Sequence, residues 1–165
     1  MFLLAHTGIT LGAVWLIGHL DKGAGLNAAN AVPLAVLGAN LPDIIDKPIG
    51  VFAPELGLGT GRGIAHTLAF NIVLLALGLW LSGWLLYVAV ASIGHLILDY
   101  MWRLPRVVFW PLYGFAFPRV GRRGFRAQIQ AWWHSLWTDP RVFLTEVVGA
   151  IFILVYVLQV YRAWL

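Results

Sequence analysis

Five long apolar stretches make up most of this chain, and the side chains with metal-binding or acid-base chemistry fall at the ends of those stretches. A helix needs about 20 predominantly apolar residues to cross the hydrocarbon core of a bilayer. Four stretches approach this length, 2–20, 64–82, 84–102 and 141–161, and a fifth, 28–45, is shorter and contains Pro33, so that we expect it to be a kinked or incomplete span. Their number and length predict an all-α, membrane-embedded helical bundle of about five spans.

Composition agrees with a membrane location. Of the 165 residues, 61% are hydrophobic and 11% are charged, whereas a soluble globular chain is roughly half apolar and a quarter charged. We therefore expect one integral membrane domain over residues 1–165. No cysteine is present, so any metal must be held by nitrogen and oxygen. The stretch 2–20 lacks a basic start and a cleavage site, and we interpret it as a retained span.

The distribution of Lys and Arg predicts an orientation, because cytoplasmic loops retain positive charge. Short reversals pair the spans as antiparallel hairpins, and two longer connections, 46–63 and 103–140, fall on the opposite face. The other face has only Lys22 and Arg162. The face with the long connections has Lys47, Arg62, Arg103, Arg106, Arg119, Arg122, Arg123, Arg126 and Arg141. We therefore expect the long connections and the amino terminus in the cytoplasm, and the carboxyl terminus outside.

In this topology all the candidate metal ligands reach the cytoplasmic ends of the spans. They are His6, Asp43, His66, His95 and Asp99. A His or Asp inside a membrane span is costly, and is by default a sign of function. His95 and Asp99 are four residues apart, so they face the same side of one helix. The convergence predicts a metal site. Considered singly, each residue could instead be an interfacial side chain that pairs with a loop residue.

Two sequence motifs extend this cluster. In LPDIID, Pro42 predicts a helix break that lets Asp43 and Asp46 turn toward one point, or else a helix-terminating loop beside Lys47. In GRGIAHT, a cation, Arg62, precedes His66, and the glycines allow close backbone approach. Imidazoles and carboxylates without thiols favour one or two divalent ions, zinc first, with manganese or iron as alternatives.

The ordered motifs resemble a known family over roughly residues 6–99. His6, Leu41-Pro42-Asp43, Arg62-Gly63-x-x-His66-Thr67 and Gly94-His95-x-x-Leu98-Asp99 are similar to the membrane-bound metal-dependent hydrolases (YdjM-like). More distantly, their order resembles the zinc-dependent phospholipases C and the single-strand-specific zinc nucleases, which are all-helical enzymes with clustered zinc ions. That likeness implies one ion held by Asp43, His66, His95 and Asp99, with Asp99 bridging to a second ion near His6.

Further polar residues have local interpretations. The acids of the family lie two apart after the Pro, whereas Asp43 and Asp46 lie three apart. We interpret His134 as interfacial, Asp139 as the N-cap before Pro140, and Glu146 as an interhelical acid or a support for the site. The candidate catalytic residues are Asp99, Asp46 and Arg62, with Arg62 stabilising an anionic transition state.

The connection 103–140 interleaves arginines with aromatic residues. Aromatic rings favour the headgroup level, and each basic group near an anionic leaflet contributes about 1 kcal/mol of attraction. We expect this connection to bind anionic lipid headgroups, and Arg103 and Arg106 to bind substrate together with Arg62. Nucleic acid is not an expected partner despite a pI of 9.9, because the charge lies among membrane-seeking aromatics.

These features favour a metal-dependent hydrolase of phosphoester bonds in a membrane phospholipid or phosphorylated lipid. Two ions would activate water and clamp the attacking and leaving oxygens. The alternative is a non-catalytic transporter or ion-handling protein with an intramembrane His/Asp relay, although transport sites generally lie near the bilayer midplane. A degenerate, purely structural metal site is the third hypothesis.

Overall fold

The structure is a computed structural model that describes residues 3–20, 28–52, 61–81, 83–117 and 125–164. Within these ranges the only regular secondary structure is helical, which confirms the all-α prediction. The helices are α1 (Leu3–Leu20), α2 (Ala28–Phe52), α3 (Leu68–Leu81), α4 (Gly83–Leu98), α5 (Pro105–Val108), α6 (Phe125–Thr138) and α7 (Pro140–Trp164). Short 3-10 helices occupy Ile64–His66 and Met101–Arg103. Lys22, Arg119, Arg122 and Arg123, used in the orientation prediction, lie outside the described residues.

Helix α2 continues through its prolines, so the predicted break at Pro42 is wrong. Proline removes one N–H from the helical ladder, but an apolar bundle tolerates this when neighbouring groups satisfy the freed backbone. Next to the carbonyl of Gly38, which Pro42 leaves without its helical donor, the carbonyl of Ala39 accepts a hydrogen bond from the His95 ring. Asp43 and Asp46 still share one side of α2, because residues three apart on a helix are neighbours.

Helix α2 lies at the centre of the bundle, between α1 and α4, while α7 packs on α1 and α3 packs on α4. The buried apolar positions are mostly small, as at Ala35, Ala39 and Ala89, whereas large side chains such as Leu79 and Trp80 face outward. Small residues let helices approach closely in a membrane, where lipid solvates the large ones. The polar side chains buried between these helices form the candidate site.

Helix length supports the membrane prediction only in part. Among the described helices, α7 alone is long and apolar enough to cross a membrane, over Pro140–Arg162. The apolar helices Leu3–Leu16, Leu68–Leu81 and Gly83–Leu98 are shorter. At about 1.5 Å per residue they fall short of the roughly 30 Å hydrocarbon thickness.

The basic aromatic connection contains two helices that we did not predict, α5 and α6. In α6, apolar residues recur with helical spacing at Ile129, Trp132, Trp133, Leu136 and Trp137. Such a stripe is typical of an amphipathic helix that lies at an interface. Helix α6 packs against α7, and Trp132 reaches Lys47 on α2.

Candidate metal centre

Four separate elements place the candidate ligands together. His6 lies on α1, Asp43 on α2, His66 in the 3-10 helix before α3, and His95 near the end of α4, with Asp99 in the turn that follows. The three imidazoles are essentially inaccessible to solvent, since His6 and His66 are 0% exposed and His95 is 1% exposed. Two groups of side chains lie close enough to hold an ion: Asp43, His66 and His95, and His6, His95 and Asp99.

Asp46 fixes the orientation of His66. Its buried carboxylate accepts backbone hydrogen bonds from Gly63, Ala65 and His66, at 2.8, 3.3 and 3.1 Å. The same carboxylate lies 2.7 Å from His66 Nδ1. The Asp46 oxygens therefore act as acceptors on this side of the His66 ring. His66 Nδ1 therefore carries the hydrogen, and the Nε2 lone pair points toward the neighbouring ligands.

His95 is oriented by a backbone group instead. Its Nδ1 lies 2.7 Å from the carbonyl oxygen of Ala39 on α2. Because a carbonyl oxygen only accepts, Nδ1 must be the donor, and Nε2 of the neutral ring is a lone pair. The Nε2 atoms of His95 and His66 are 3.2 Å apart. With both Nδ1 atoms as donors, two lone pairs face each other at this separation, and either a shared proton or a bound metal cation stabilises such an arrangement.

Asp43 completes the first group. Its Oδ1 lies 3.6 Å from His66 Nε2 and 3.8 Å from His95 Nε2. With metal–ligand distances of about 2.0–2.1 Å, adjacent ligands of a tetrahedral zinc site are separated by roughly 3.3–3.4 Å. The three separations within this group, 3.2, 3.6 and 3.8 Å, lie around that value. This donor set therefore fits a small divalent ion.

His6 and Asp99 form the other side of the centre. The His6 ring stacks on His95, with ring centroids 3.9 Å apart, and His6 Nε2 lies 3.2 Å from Asp99 Oδ1. Despite that proximity, neither ring nitrogen of His6 has a well-oriented hydrogen bond within the described part of the chain. A buried imidazole that lies beside a carboxylate and has no hydrogen bond at its nitrogens is a suitable ligand for a second metal ion. Asp99 Oδ2 faces Arg62, whose Nη2 is 3.1 Å away.

Lys47 was not among our predicted site residues, but it contacts the centre. Its ammonium pairs with Asp43 Oδ2 one turn earlier on α2, while Asp43 Oδ1 faces the imidazoles. The Lys47 ammonium also lies 5.4 Å from the centre of the Trp132 ring, within cation–π range. Among the described residues, Asp43 is thus paired with Lys47, and Asp99 is paired with Arg62. The spacing of Asp43 and Lys47, four apart on a helix, is the signal that could have identified this pair.

A polar network supports the second histidine-bearing segment. Asn71 on α3 donates to the carbonyls of Ala65 and Thr67, at 3.1 and 2.8 Å. Ser92 on α4 donates to Asn71 at 2.7 Å. These buried contacts fix the turn that carries His66 against α4, which carries His95. Sequence reasoning missed them because none of these residues has a distinctive spacing.

The remaining candidates lie away from the ligands. Arg103 and Arg106 are exposed and make no ion pair among the described residues, and the Arg103 guanidinium lies over the Tyr100 ring. His134 is exposed on α6. Asp139 accepts a hydrogen bond from the N–H of Arg141, which confirms the predicted N-cap. Glu146 is buried on α7 and accepts from the N–H of Ala5, so it is an interhelical acid.

The distribution of ligands differs in one respect from that implied by the resemblance. Asp99 lies with His6 and His95, rather than with Asp43 and His66. His95 belongs to both groups, but its Nδ1 is committed to Ala39, so its Nε2 is the atom offered to an ion. In this geometry Asp43, His66 and His95 supply three ligands for one ion. His6 and Asp99 supply ligands for a second ion beside it.

Comparison with known proteins identifies one family. The model of the family described as YdjM inner membrane protein matches residues 1–164. No curated protein and no solved structure gives a significant match. The family match supports the YdjM-like part of the predicted resemblance and the membrane location, and it carries no information on hydrolase activity or on likeness to zinc phospholipases C.

Proposed function

The chain belongs to the YdjM inner membrane protein family, and on that premise we propose that it is a metal-dependent hydrolase of phosphoester bonds in a membrane lipid. The observation that carries the proposal is the pair of Nε2 atoms of His66 and His95, 3.2 Å apart beside Asp43. Both Nδ1 atoms are committed to fixed acceptors. A divalent cation would accept both lone pairs, and zinc fits the nitrogen and oxygen donors best.

Phosphoester hydrolysis forms a bond from the oxygen of water to phosphorus, breaks the ester P–O bond and returns a proton to the leaving oxygen. A divalent ion supplies water that is acidic enough to attack near neutral pH, and it neutralises charge on the phosphate. Asp43, His66 and His95 would hold one ion, and His6 with Asp99 a second. Lys47 and Arg62, at the edges of the centre, supply positive charge for the phosphate and its transition state. Asp46 acts through His66 as a positioning residue.

A bundle of about five spans with the centre at the cytoplasmic face is part of the proposal. The tally of Lys and Arg supports this orientation. Helices α3 and α4 are short, and a bilayer accommodates a short span by local thinning or by snorkelling of flanking residues. The exposed aromatic residues Tyr113 and Phe115, at 63% and 81% exposure, are suited to the headgroup level, where Arg103 and Arg106 would meet anionic lipids.

The direct test combines metal content with activity. Protein purified in mild detergent should contain zinc or manganese in stoichiometric amount by elemental analysis. It should hydrolyse at least one member of a panel of phospholipids and phosphorylated lipids, lose that activity to a chelator and regain it with added metal. The variants Asp43→Asn and Asp99→Asn should be inactive but folded, whereas Asp139→Asn, which alters an exposed capping carboxylate, should stay active.

Two outcomes would overturn the proposal. Hydrolysis that is insensitive to chelator and to Asp43→Asn would exclude this centre as the catalyst. Metal-dependent flux in proteoliposomes without hydrolysis of any lipid in the panel would favour the ion-handling alternative.

A further inference from the structure

A cavity of about 340 Å³ adjoins the Asp43 side of the metal centre. Its walls come from α1, α2 and α6 and are apolar at Leu3, Ile44, Phe52 and Trp132. The charged groups that line it, Asp43 and Lys47, are those that also belong to the centre. Specific ligand pockets are typically apolar with a few placed polar groups, and their volumes begin near 300 Å³.

Two apolar residues that line the cavity are largely exposed. Phe52 and Ile44, which form its outer wall, are 80% and 55% exposed. In the proposed topology they lie at the cytoplasmic membrane interface, where lipid headgroups and the adjoining ends of lipid tails are within reach. A hydrocarbon chain could enter past them without crossing a polar surface, while a polar molecule would meet an apolar entrance.

The inner end of the cavity has the opposite character. The Lys47 ammonium is paired with Asp43 and lies under the ring of Trp132. An ammonium has three donors, so it can contact an anionic oxygen while keeping its carboxylate partner. Asp43 Oδ1 faces the two imidazoles from this same position. An anionic group at the end of a chain in the cavity would therefore lie beside the metal ligands.

We propose that this cavity binds one hydrocarbon chain of a lipid whose phosphate lies at Lys47, next to Asp43. The inference rests on the proposed hydrolase function and names its substrate class: a phosphate-bearing lipid with at least one long chain. The hydrocarbon chain of the lipid moves from one apolar environment, the bilayer, into another, the pocket. Burial of this hydrocarbon chain therefore adds little binding energy. Its role is to position the phosphate, and shortening the chain lowers turnover by losing that positioning.

Labelling by a photoactivatable lipid tests the pocket without relying on hydrolysis. Chelator-treated protein is reconstituted in phosphatidylglycerol vesicles that contain a trace of phosphatidic acid with a diazirine on one acyl chain. After illumination, cross-links should concentrate on the cavity-lining residues of α2 and on Trp132. The variant Ile44→Trp, which fills the cavity, should reduce this labelling several-fold. The matched control is Ile72→Trp on α3, because Ile72 is 54% exposed but does not line the cavity, and its labelling should equal that of the unaltered chain.

A second measurement uses the metal-loaded protein. The ratio of hydrolysis of a long-chain phosphate lipid to that of a chainless phosphoester should fall several-fold in Ile44→Trp and be retained in Ile72→Trp. Labelling spread evenly over exposed apolar faces and unchanged by Ile44→Trp would overturn the inference, as would an unchanged ratio. Absence of hydrolysis of every substrate, with labelling confined to the cavity, would instead overturn the proposed hydrolase function and leave a lipid-binding site.

Discussion

In two histidines of this protein, a hydrogen bond at Nδ1 leaves Nε2 available to bind a metal ion. His95 Nδ1 donates to the carbonyl of Ala39, and His66 Nδ1 donates to Asp46. Partners of this kind fix the tautomer and orientation of a metal-binding histidine, and their loss typically lowers metal affinity 10–100-fold. Of these two partners only Asp46 can be removed by substitution, because it accepts the hydrogen bond through its side chain, whereas Ala39 accepts through its backbone carbonyl.

We expect Asp46→Asn to weaken metal binding by about 10–100-fold. Asparagine keeps one carbonyl oxygen but presents an NH₂ group to the donors that the carboxylate now accepts, and it removes the negative charge beside His66. Affinity is measured by competition with a chromogenic chelator, and the unfolding of metal-free protein is followed separately.

Asp139→Asn is the matched control for this prediction. Asp139 also accepts a backbone N–H, that of Arg141 at 2.9 Å, but it is exposed and belongs to neither ligand group. Its variant should bind metal as the unaltered protein does. A loss of stability in Asp46→Asn with metal affinity intact would mean that Asp46 serves only to hold the turn.

At the residue scale, the contacts that could be predicted from sequence are those between residues at a regular helical spacing. His95 and Asp99 were paired because they lie four apart, and the structure places both in one group. The contact between His66 and His95 could be anticipated only through the shared membrane face. The contact of Lys47 with Trp132 joins residues 85 positions apart on α2 and α6, and no local pattern connects them. The acceptor role of Ala39 was also inaccessible, because a backbone carbonyl leaves no signature in sequence.

At the scale of elements, glycines determine how closely α1 and α7 pack. A Cβ added at Gly8 would collide with the backbone of Gly149, and one added at Gly149 would collide with the backbone of Leu4 and Ala5. Glu146, one turn earlier on α7, accepts the N–H of Ala5 near the start of α1. Since His6 follows Ala5, this helix pair determines where His6 stands relative to His95.

We predict that Gly8→Ala destabilises the protein by roughly 1–3 kcal/mol, the usual cost of overpacking a tight contact. It should also weaken metal binding, because α1 must move and take His6 with it. Gly94→Ala on α4 is the control, since nothing lies within 4 Å of a Cβ at that position. There alanine should be neutral or stabilising by up to about 1 kcal/mol, through helix propensity. Unfolding in detergent by a graded denaturant measures both, and equal effects of the two substitutions would contradict the packing argument.

Helix α2 shows where local rules fail at this scale. The sequence predicts a helix break at Pro42, which is the usual effect of proline in water. In the structure α2 runs on to Phe52 and carries Asp43, Asp46 and Lys47 along one helical side. The two carboxylates share one side of the helix through its periodicity, but they contact opposite nitrogens of the His66 ring, Asp43 at Nε2 and Asp46 at Nδ1. Packing of α2 between α1 and α4 is a tertiary effect that the local rule for proline does not include.

Considered as a whole molecule, the chain has an inverted distribution of side-chain size. Small and polar residues fill the interior, and large apolar residues such as Leu154, Trp80 and Leu112 are exposed at 58%, 81% and 84%. A continuous apolar surface of this size is not expected in contact with water, but it is normal in contact with lipid. Composition alone predicted this environment. It could not predict how many helices cross the bilayer, because α3 and α4 lie below the length at which hydropathy is decisive.

The orientation can be tested because the chain has no cysteine, so that a single introduced thiol reports one position. Leu112→Cys lies in the exposed segment after α5, and Tyr161→Cys lies near the end of α7 at 61% exposure. If the long connections face the cytoplasm, a membrane-impermeant maleimide should label Tyr161→Cys in intact spheroplasts. Leu112→Cys should react only after permeabilisation, because the charge bias holds its loop inside. Labelling of both from the same side would contradict an odd number of crossings after Leu112, and labelling of Leu112→Cys alone in intact cells would place the metal centre outside.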